Sequence, residues 1–191
     1  MAGAERRVRA VVFDFDGTLV DSDAALLDAF VVLGVPAADV TYGHAVAEEC
    51  DRLGLSLEDY VAAYDTTAAQ PFPGVEDLVS TLGRWALCSN KHPDSGAEEL
   101  RRLGWRPEVA RFADAFGWQH KRLDPVLADL GLGAGEVLMV GDSEGDRWCA
   151  EQVGCAFAWA GWNERTRLAE PEGLVLHSPS DVLGLIDDLI G

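Results

Sequence analysis

The sequence predicts an α/β protein, with helices on both faces of a mostly parallel sheet and a small helical unit inserted after the first strand. Three observations predict it. Short apolar runs alternate with helical patterns from about residue 72 onward. The first run, Arg9 to Phe13, stops abruptly in acid, as a buried strand does on reaching the edge of its sheet. From about residue 21 to residue 70 the alternation gives way to helix alone.

Taken in order, Arg9 to Phe13 is the first strand. The insertion then offers three helical patterns, Asp23 to Leu33, His44 to Leu53 and Leu57 to Tyr64, the last led by Ser56 as its N-cap, and no strand. Pro71-Phe72-Pro73-Gly74 punctuates the return to the sheet. Helical spacing follows at Val75 to Leu82, Ser95 to Leu103, Pro125 to Leu130 and Asp146 to Val153. Between these lie expected strands at Trp85 to Cys88, Ala113 to Phe116, Val137 to Val140 and Ala156 to Trp159, with Leu174 to Leu176 as a short sixth. The reading divides the chain into a core of 1–20 and 71–191 and a helical insertion of 21–70. An insertion leaving the carboxyl end of the first strand hangs over the crevice where open α/β sheets bind ligands, which favours a lid over ordinary packing helices.

Length and composition agree. A chain of 191 residues suits one core domain with a small insertion, and 48% apolar with 25% charged residues is an ordinary globular balance. The unusual quantity is charge. Asp and Glu number 33 against 15 Lys and Arg, for a formal net charge of −18, and only two of those cations are lysine, Lys91 and Lys121. Such a field repels polyanions, so neither a nucleic acid nor an anionic membrane is expected as a partner. The excess reads as a solvated surface, or more sharply as adaptation to a salty cytoplasm. No window is long and apolar enough to span a membrane and Met1 to Ala10 lacks the apolar run of a signal peptide, so a cytoplasmic location is expected. The four cysteines (Cys50, Cys88, Cys149, Cys155) form no C-x-x-C pair and read as buried thiols.

The strongest local signal is Asp14-Phe15-Asp16-Gly17-Thr18, directly after the first strand. Two like charges about 4 Å apart repel by about 4 kcal/mol at an effective dielectric of 20, so something should compensate them. Mg²⁺ is the simplest candidate, since it takes one or two carboxylates and shares its remaining positions with water and phosphate. Gly17 permits a tight turn, and the Thr18 hydroxyl is expected at the site, holding a neighbouring carboxylate or contacting substrate. Gly141-Asp142-Ser143-Glu144-Gly145-Asp146 follows the fourth strand, Ser89-Asn90-Lys91 the second, and Lys121 lies in a loop after the third. In a parallel sheet these strand ends share one edge, so the residues converge although they are far apart in sequence.

These elements resemble, in order and position, the four motifs of the haloacid dehalogenase-like hydrolase superfamily. Asp14 to Thr18 resembles its D-x-D-G-T, Ser89 its second motif, Lys121 its third, and Gly141 to Asp146 its G-D-x-x-x-D. The helical insertion and the returning Pro-Phe-Pro-Gly look like the phosphoglycolate-phosphatase-like branch with a small helical cap. Arg122 follows Lys121 where that branch commonly has proline, the cap is short for its class, and Gly83 to Cys88 is trimmed.

The resemblance implies a Rossmann-like core and a Mg²⁺-dependent phosphatase that forms an aspartyl-phosphate from a small phosphorylated metabolite. Asp14 is then the nucleophile, and Asp16 the acid that protonates the leaving oxygen and later the base. Mg²⁺ is held by Asp14, the Asp16 carbonyl, Asp142 and Asp146, the last directly or through water. Lys121 and Ser89 bind the phosphoryl oxygens, assisted by Asn90. Asp16 argues for phosphoester chemistry, because release of a halide needs no proton. A phosphomutase is the alternative within the superfamily. A receiver-type signalling domain is the remote one, disfavoured because the expected third strand ends Phe116-Gly117-Trp118-Gln119 without an acid. No G-x-G-x-x-G follows the first strand, which excludes a nicotinamide site of the usual kind. Lys91 and His92 lie close enough to the second motif to attract substrate, His120 reads as a solvated loop residue, and Trp159 and Trp162 are possible neighbours of the cap entrance. Substrate identity and oligomeric state are not legible from one sequence.

Overall fold

All four residues of β1 (Ala10–Phe13) are buried, so the strand needs cover on both faces. The structure, a computed structural model, describes residues 8–42 and 44–190; of the expected core, residues 1–7 and 191 lie outside them, and of the expected insertion residue 43. Beyond β1 the chain makes a tight loop into β2 (Val20–Asp21), which pairs antiparallel with β3 (Gln70–Pro71) through Val20 opposite Pro71 and Asp21 opposite Gln70. Between these two short strands lie α1 (Asp23–Val32), α2 (Val46–Leu53) and α3 (Leu57–Ala63). The three helices bury an apolar cluster of their own, including Ala25, Ala29, Phe30, Cys50 and Tyr60. Ser56 caps α3 as expected, its hydroxyl accepting from the Asp59 N–H at 3.3 Å.

The remaining strands are β4 (Trp85–Cys88), β5 (Val109–Arg111), β6 (Val137–Gly141), β7 (Ala156–Ala160) and β8 (Val175–Leu176). With β1 they form a six-stranded sheet in the order β5-β4-β1-β6-β7-β8, parallel at every pairing. Strand order reverses between β1 and β6, which is the switch point where open α/β sheets leave a crevice for ligands. Side chains alternate across the sheet. Val11, Phe13, Leu87 and Val140 pack with α4 (Val75–Thr81), α5 (Pro93–Leu103) and α9 (Asp181–Ile190). Val12, Ala86 and Met139 pack on the other face with α6 (Asp124–Leu130) and α7 (Glu144–Val153). A short α8 (Glu164–Leu168) follows β7. All four cysteines are free and buried. No helix among the described residues is long and apolar enough to cross a membrane.

Two expectations are corrected. Ala113 to Phe116 is a 3₁₀ turn, and the third strand of the sheet is β5, four residues earlier. The reason is one of period: Ala113 and Phe116 are buried one turn apart with Asp114 exposed between them, whereas β5 is a three-residue edge strand with little apolar signal. The insertion was expected to hold no strand, yet β2 and β3 close its two ends, each too short to leave a pattern. Among the helices, α2 begins at Val46, so His44 lies outside it.

Gly96 offers a stringent check of the α5 packing. A Cβ built on it would lie 2.4 Å from the Phe112 ring. Replacing glycine by alanine inside a helix ordinarily stabilises by about 0.5–1 kcal/mol. Here Gly96→Ala is expected to destabilise by roughly 1–3 kcal/mol through overpacking. Urea titration measures it, and an unchanged or raised midpoint would contradict this packing.

Candidate active site

The pairing register sets the site. Phe13, the last residue of β1, lies opposite Leu87 and Val140, so Asp14, Ser89 and Asp142 leave their strands at nearly the same level. The loop after β1 turns at Gly17, whose φ is +76° and whose missing side chain matters doubly: a Cβ there would lie 2.5 Å from an Asp142 carboxylate oxygen. Two side chains from the segment after β7 secure this loop. Asn163 Nδ2 donates to the Gly17 carbonyl at 2.8 Å, and Trp162 Nε1 to the Thr18 carbonyl at 2.8 Å.

Lys121 lies at the centre, buried, with its Nζ 2.7 Å from Asp14 Oδ1 and 2.5 Å from Asp146 Oδ1. Its loop is held where the branch usually has proline by another device: Asn90 Oδ1 accepts the Lys121 N–H at 2.8 Å. Asp146 is the third residue of α7, and its Oδ2 accepts from the Asp142 N–H, the Ser143 N–H and the Ser143 hydroxyl at 3.1, 2.9 and 2.7 Å. The same acid therefore caps its helix with one oxygen and faces Lys121 with the other. Asp142 is held from three sides. Thr18 Oγ1 donates to its Oδ1 at 3.0 Å, Arg165 to its Oδ2 at 2.7 Å, and the Thr166 hydroxyl to its carbonyl at 3.0 Å. Arg165 also pairs with Asp23 at the start of α1 at 3.0 Å, bridging the core to the insertion.

A cavity of about 100 Å³ opens over this edge, lined from the core by Asp14, Asp16, Ser89, Asn90, Lys121 and Asp142 and from the insertion by Leu26, Phe30, Tyr42, His44, Tyr60 and Tyr64. Six of the eight expected site residues thus meet at one cavity. Asp146 lies beneath it, fully buried. Thr18 corrects the expectation that it contacts substrate: it is fully buried, does not line the cavity, and spends its hydroxyl on Asp142. Asp114, the acid nearest the end of β5, is exposed and does not line the cavity either.

Residues 8–154 match the family model described as haloacid dehalogenase-like hydrolase. The chain belongs to the haloacid dehalogenase-like hydrolase family. It is 31% identical to a phosphoglycolate phosphatase of Synechococcus elongatus over 96% of this chain and 99% of the relative, and 27% identical to one of Xanthomonas campestris over 82% and 85%. A haloacid dehalogenase-like family hydrolase from Streptococcus pneumoniae shares the fold, with a TM-score of 0.71 and 21% identity over 93% of this chain and 98% of that one.

Burial and mutual repulsion dominate the electrostatics of this hydrolase. Burial pushes the Asp14 carboxyl up to about 6, against the pull of Lys121. Burial, then Asp146 and Asp14, push Asp142 up to about 8. Burial disfavours the charge on Lys121, but Asp14 and Asp146 outweigh it and raise its pKa well above that of a free lysine. Asp14, Asp142 and Asp146 each offer an oxygen within 4.8 Å of the others, with Asp14 Oδ1 and Asp146 Oδ1 both turned to the Lys121 ammonium. Three carboxylates so closely gathered, all oxygen donors, suit a hard divalent cation such as Mg²⁺. The side chain of Asp16 is not in that set, being turned to Lys91.

Sequence reasoning missed three participants: Glu99, Tyr64 and Arg165. Lys91 and His92 line the cavity, as their place beside the second motif led one to expect, but Lys91 is largely buried and its Nζ lies 2.8 Å from Asp16 Oδ1 and 3.0 Å from Glu99 Oε2. Glu99 lies on the buried face of α5 with Ser95 and Gly96, a face that sequence spacing alone did not separate from the apolar one. Tyr64 and Arg165 carry no local motif. Trp159 and Trp162 do not line the cavity, and His120 is exposed as expected.

A pH-dependent metal effect follows from the raised carboxyls. Between about pH 4 and 8 the metal-free folded protein holds protons on Asp14 and Asp142 that the unfolded chain releases, so it loses stability as pH rises through that window. A divalent cation held by these carboxylates would take the place of those protons. The rise in Tm on adding Mg²⁺ to EDTA-treated protein is therefore expected to be larger at pH 8 than at pH 5, at roughly 2–4 °C for each kcal/mol of binding. An equal shift at both values, or none, would count against the carboxylate site.

Proposed function

We propose that this hydrolase is a Mg²⁺-dependent phosphatase that cleaves a small phosphomonoester through an aspartyl-phosphate on Asp14. The observation that carries the reading is the pairing of Asp14 with Lys121 and of Asp16 with Lys91 on one cavity wall, which places a nucleophile and a second carboxyl side by side in different settings. Relatives named phosphoglycolate phosphatase support a small acidic phosphoester as substrate. They also favour hydrolysis over the mutase alternative.

In the first step an Asp14 oxygen attacks phosphorus and the ester P–O bond breaks. Its electron pair goes to the leaving oxygen, which takes a proton from Asp16. In the second step Asp16 accepts a proton from water as the water oxygen attacks phosphorus, and the acyl-phosphate bond breaks to return Asp14 and free phosphate. Lys121, Ser89 and the Asn90 N–H orient the phosphoryl oxygens. Asp14, Asp142, Asp146 and the Asp16 carbonyl would hold Mg²⁺, which supplies charge that offsets repulsion between the aspartate and the phosphate dianion. Residues 21–70 serve as a cap over the core of 1–20 and 71–191. Tyr42, His44, Tyr60 and Tyr64 then face the leaving group and exclude bulk water.

The test is a screen of phosphomonoesters, phosphoglycolate included, with and without Mg²⁺. Asp14→Asn is expected to lower kcat/KM by at least about 10³-fold and Asp16→Asn by roughly 10²- to 10⁴-fold. Turnover that persists in EDTA, or in Asp14→Asn, would falsify the reading.

A further inference from the structure

The chain has two lysines, and both are buried at this edge of the sheet. Lys121 is absorbed by the reaction above. Lys91 is not: its Nζ lies among three oxygens, Asp16 Oδ1 at 2.8 Å, the Tyr64 hydroxyl at 2.9 Å and Glu99 Oε2 at 3.0 Å. Two of these contacts are hydrogen bonds and the third, to Glu99, is an ion pair, so the ammonium is engaged by protein oxygens even though Lys91 is among the residues lining the cavity. Tyr64 in turn donates to Glu99 Oε1 at 2.7 Å, which closes the network. The Lys91 Nζ also lies 4.5 Å from the centre of the Tyr64 ring and 5.7 Å from that of Phe15.

The origins of the partners matter. Asp16 comes from the loop after β1, Glu99 from α5 of the core, and Tyr64 from the end of α3 in the insertion. Glu99 is fully buried and Lys91 nearly so, while Asp16 keeps some exposure to the cavity. One Asp16 oxygen is therefore fixed by a group that cannot itself move without disturbing both halves of the molecule. Among the described residues the other Asp16 oxygen makes no hydrogen bond, which leaves it free to serve a leaving group.

We propose that Lys91, Glu99 and Tyr64 are positioning residues that hold the Asp16 carboxyl in line with the leaving oxygen, with the cap contributing through Tyr64. The inference rests on the phosphatase reading and adds to it a set of residues outside the four motifs. It commits Lys91 to the proton-carrying carboxyl and not to substrate binding. Its effect must then fall on the step that needs a proton and scale with how badly the leaving group needs one.

The experiment compares phenyl phosphate with p-nitrophenyl phosphate, probes of like shape whose leaving oxygens differ in basicity. The quantity read is kcat/KM, which reports the first irreversible step. Removing Lys91 alone would leave Glu99 buried and unpaired, so the main variant is Lys91→Met with Glu99→Gln, checked by thermal unfolding, and Tyr64→Phe is the second. The double variant is expected to lose roughly 10²-fold with phenyl phosphate and at least tenfold less with p-nitrophenyl phosphate, whose leaving group departs without a proton. Tyr64→Phe keeps the ring and is expected to lose about threefold to tenfold, in kcat and not in KM. Equal losses with both probes, or a raised KM at unchanged kcat, would overturn the inference and make Lys91 structural or substrate-binding. Should the double variant not fold, Tyr64→Phe decides on the same two probes. Asp14→Asn separates the two levels: if it remains active the phosphatase reading itself fails, whereas an inactive Asp14→Asn with equal losses in the other variants sinks only the role of Lys91.

Discussion

Aspartates gathered at one edge of a sheet repel one another, and burial adds to the cost of keeping them ionised. This hydrolase meets that cost with two buried ammonium groups, each set between an acid of the loop after β1 and an acid from elsewhere in the core: Lys121 between Asp14 and Asp146, Lys91 between Asp16 and Glu99. Every other basic side chain of the Lys/Arg class is arginine. Lysine suits both places because a compact ammonium can turn its three donors toward separate oxygens, where a planar guanidinium presents a fixed fork. The rest of the site is arranged around these two points. Asp146 reaches Lys121 only because its second oxygen caps α7, and Asp142 is kept in place by Thr18 and Arg165.

Close approach is the second constraint. A Cβ at Gly141 would lie 2.4 Å from the side chain of Asp146, just as one at Gly17 would collide with Asp142. The glycines at these two positions are thus matters of space as well as of backbone angle. They let loops after β1 and β6, separated by more than a hundred residues, bring their carboxylates within reach of a common cation. Asn163 and Trp162 complete the support by taking up carbonyls of the Asp14 loop. The insertion is attached where this geometry is tightest, through the two-residue pairing of β2 with β3 and the Arg165–Asp23 bridge.

The acid excess separates into two populations. At the site, burial and mutual repulsion raise Asp14 and Asp142, the condition that a divalent cation relieves. On the surface, acids such as Glu98, Glu108 and Glu144 pair with arginines beside them or across neighbouring elements, in exposed bridges that add little stability. The long-range field that argues against a polyanion is compatible with one small phosphate, because Lys121 stands at the cavity among carboxylates whose arrangement suits a divalent cation.

Much of this was legible in the linear pattern. Asp14, Asp16, Ser89, Lys121 and Asp142 stand at ends of strands or in loops between elements, and Asp146 in the first turn of the helix that follows β6, where a polar residue interrupts an apolar run and so announces itself. Parallel strands then bring such positions to one edge whatever the details of packing, which is why both the fold class and the converging acids could be read from spacing alone. The three-residue β5 and the two-residue β2 and β3 escaped because elements of that length carry no period. Glu99, Tyr64 and Arg165 escaped for a different reason. Each is unremarkable among its sequence neighbours and acquires its meaning from partners on other elements: Tyr64 and Glu99 are 35 positions apart, Lys91 and Tyr64 27, and Arg165 and Asp23 142. Local pattern records what a residue does for its own strand or helix, whereas the pairing of buried charges across elements depends on distances that exist only once the sheet and the inserted helices are packed together.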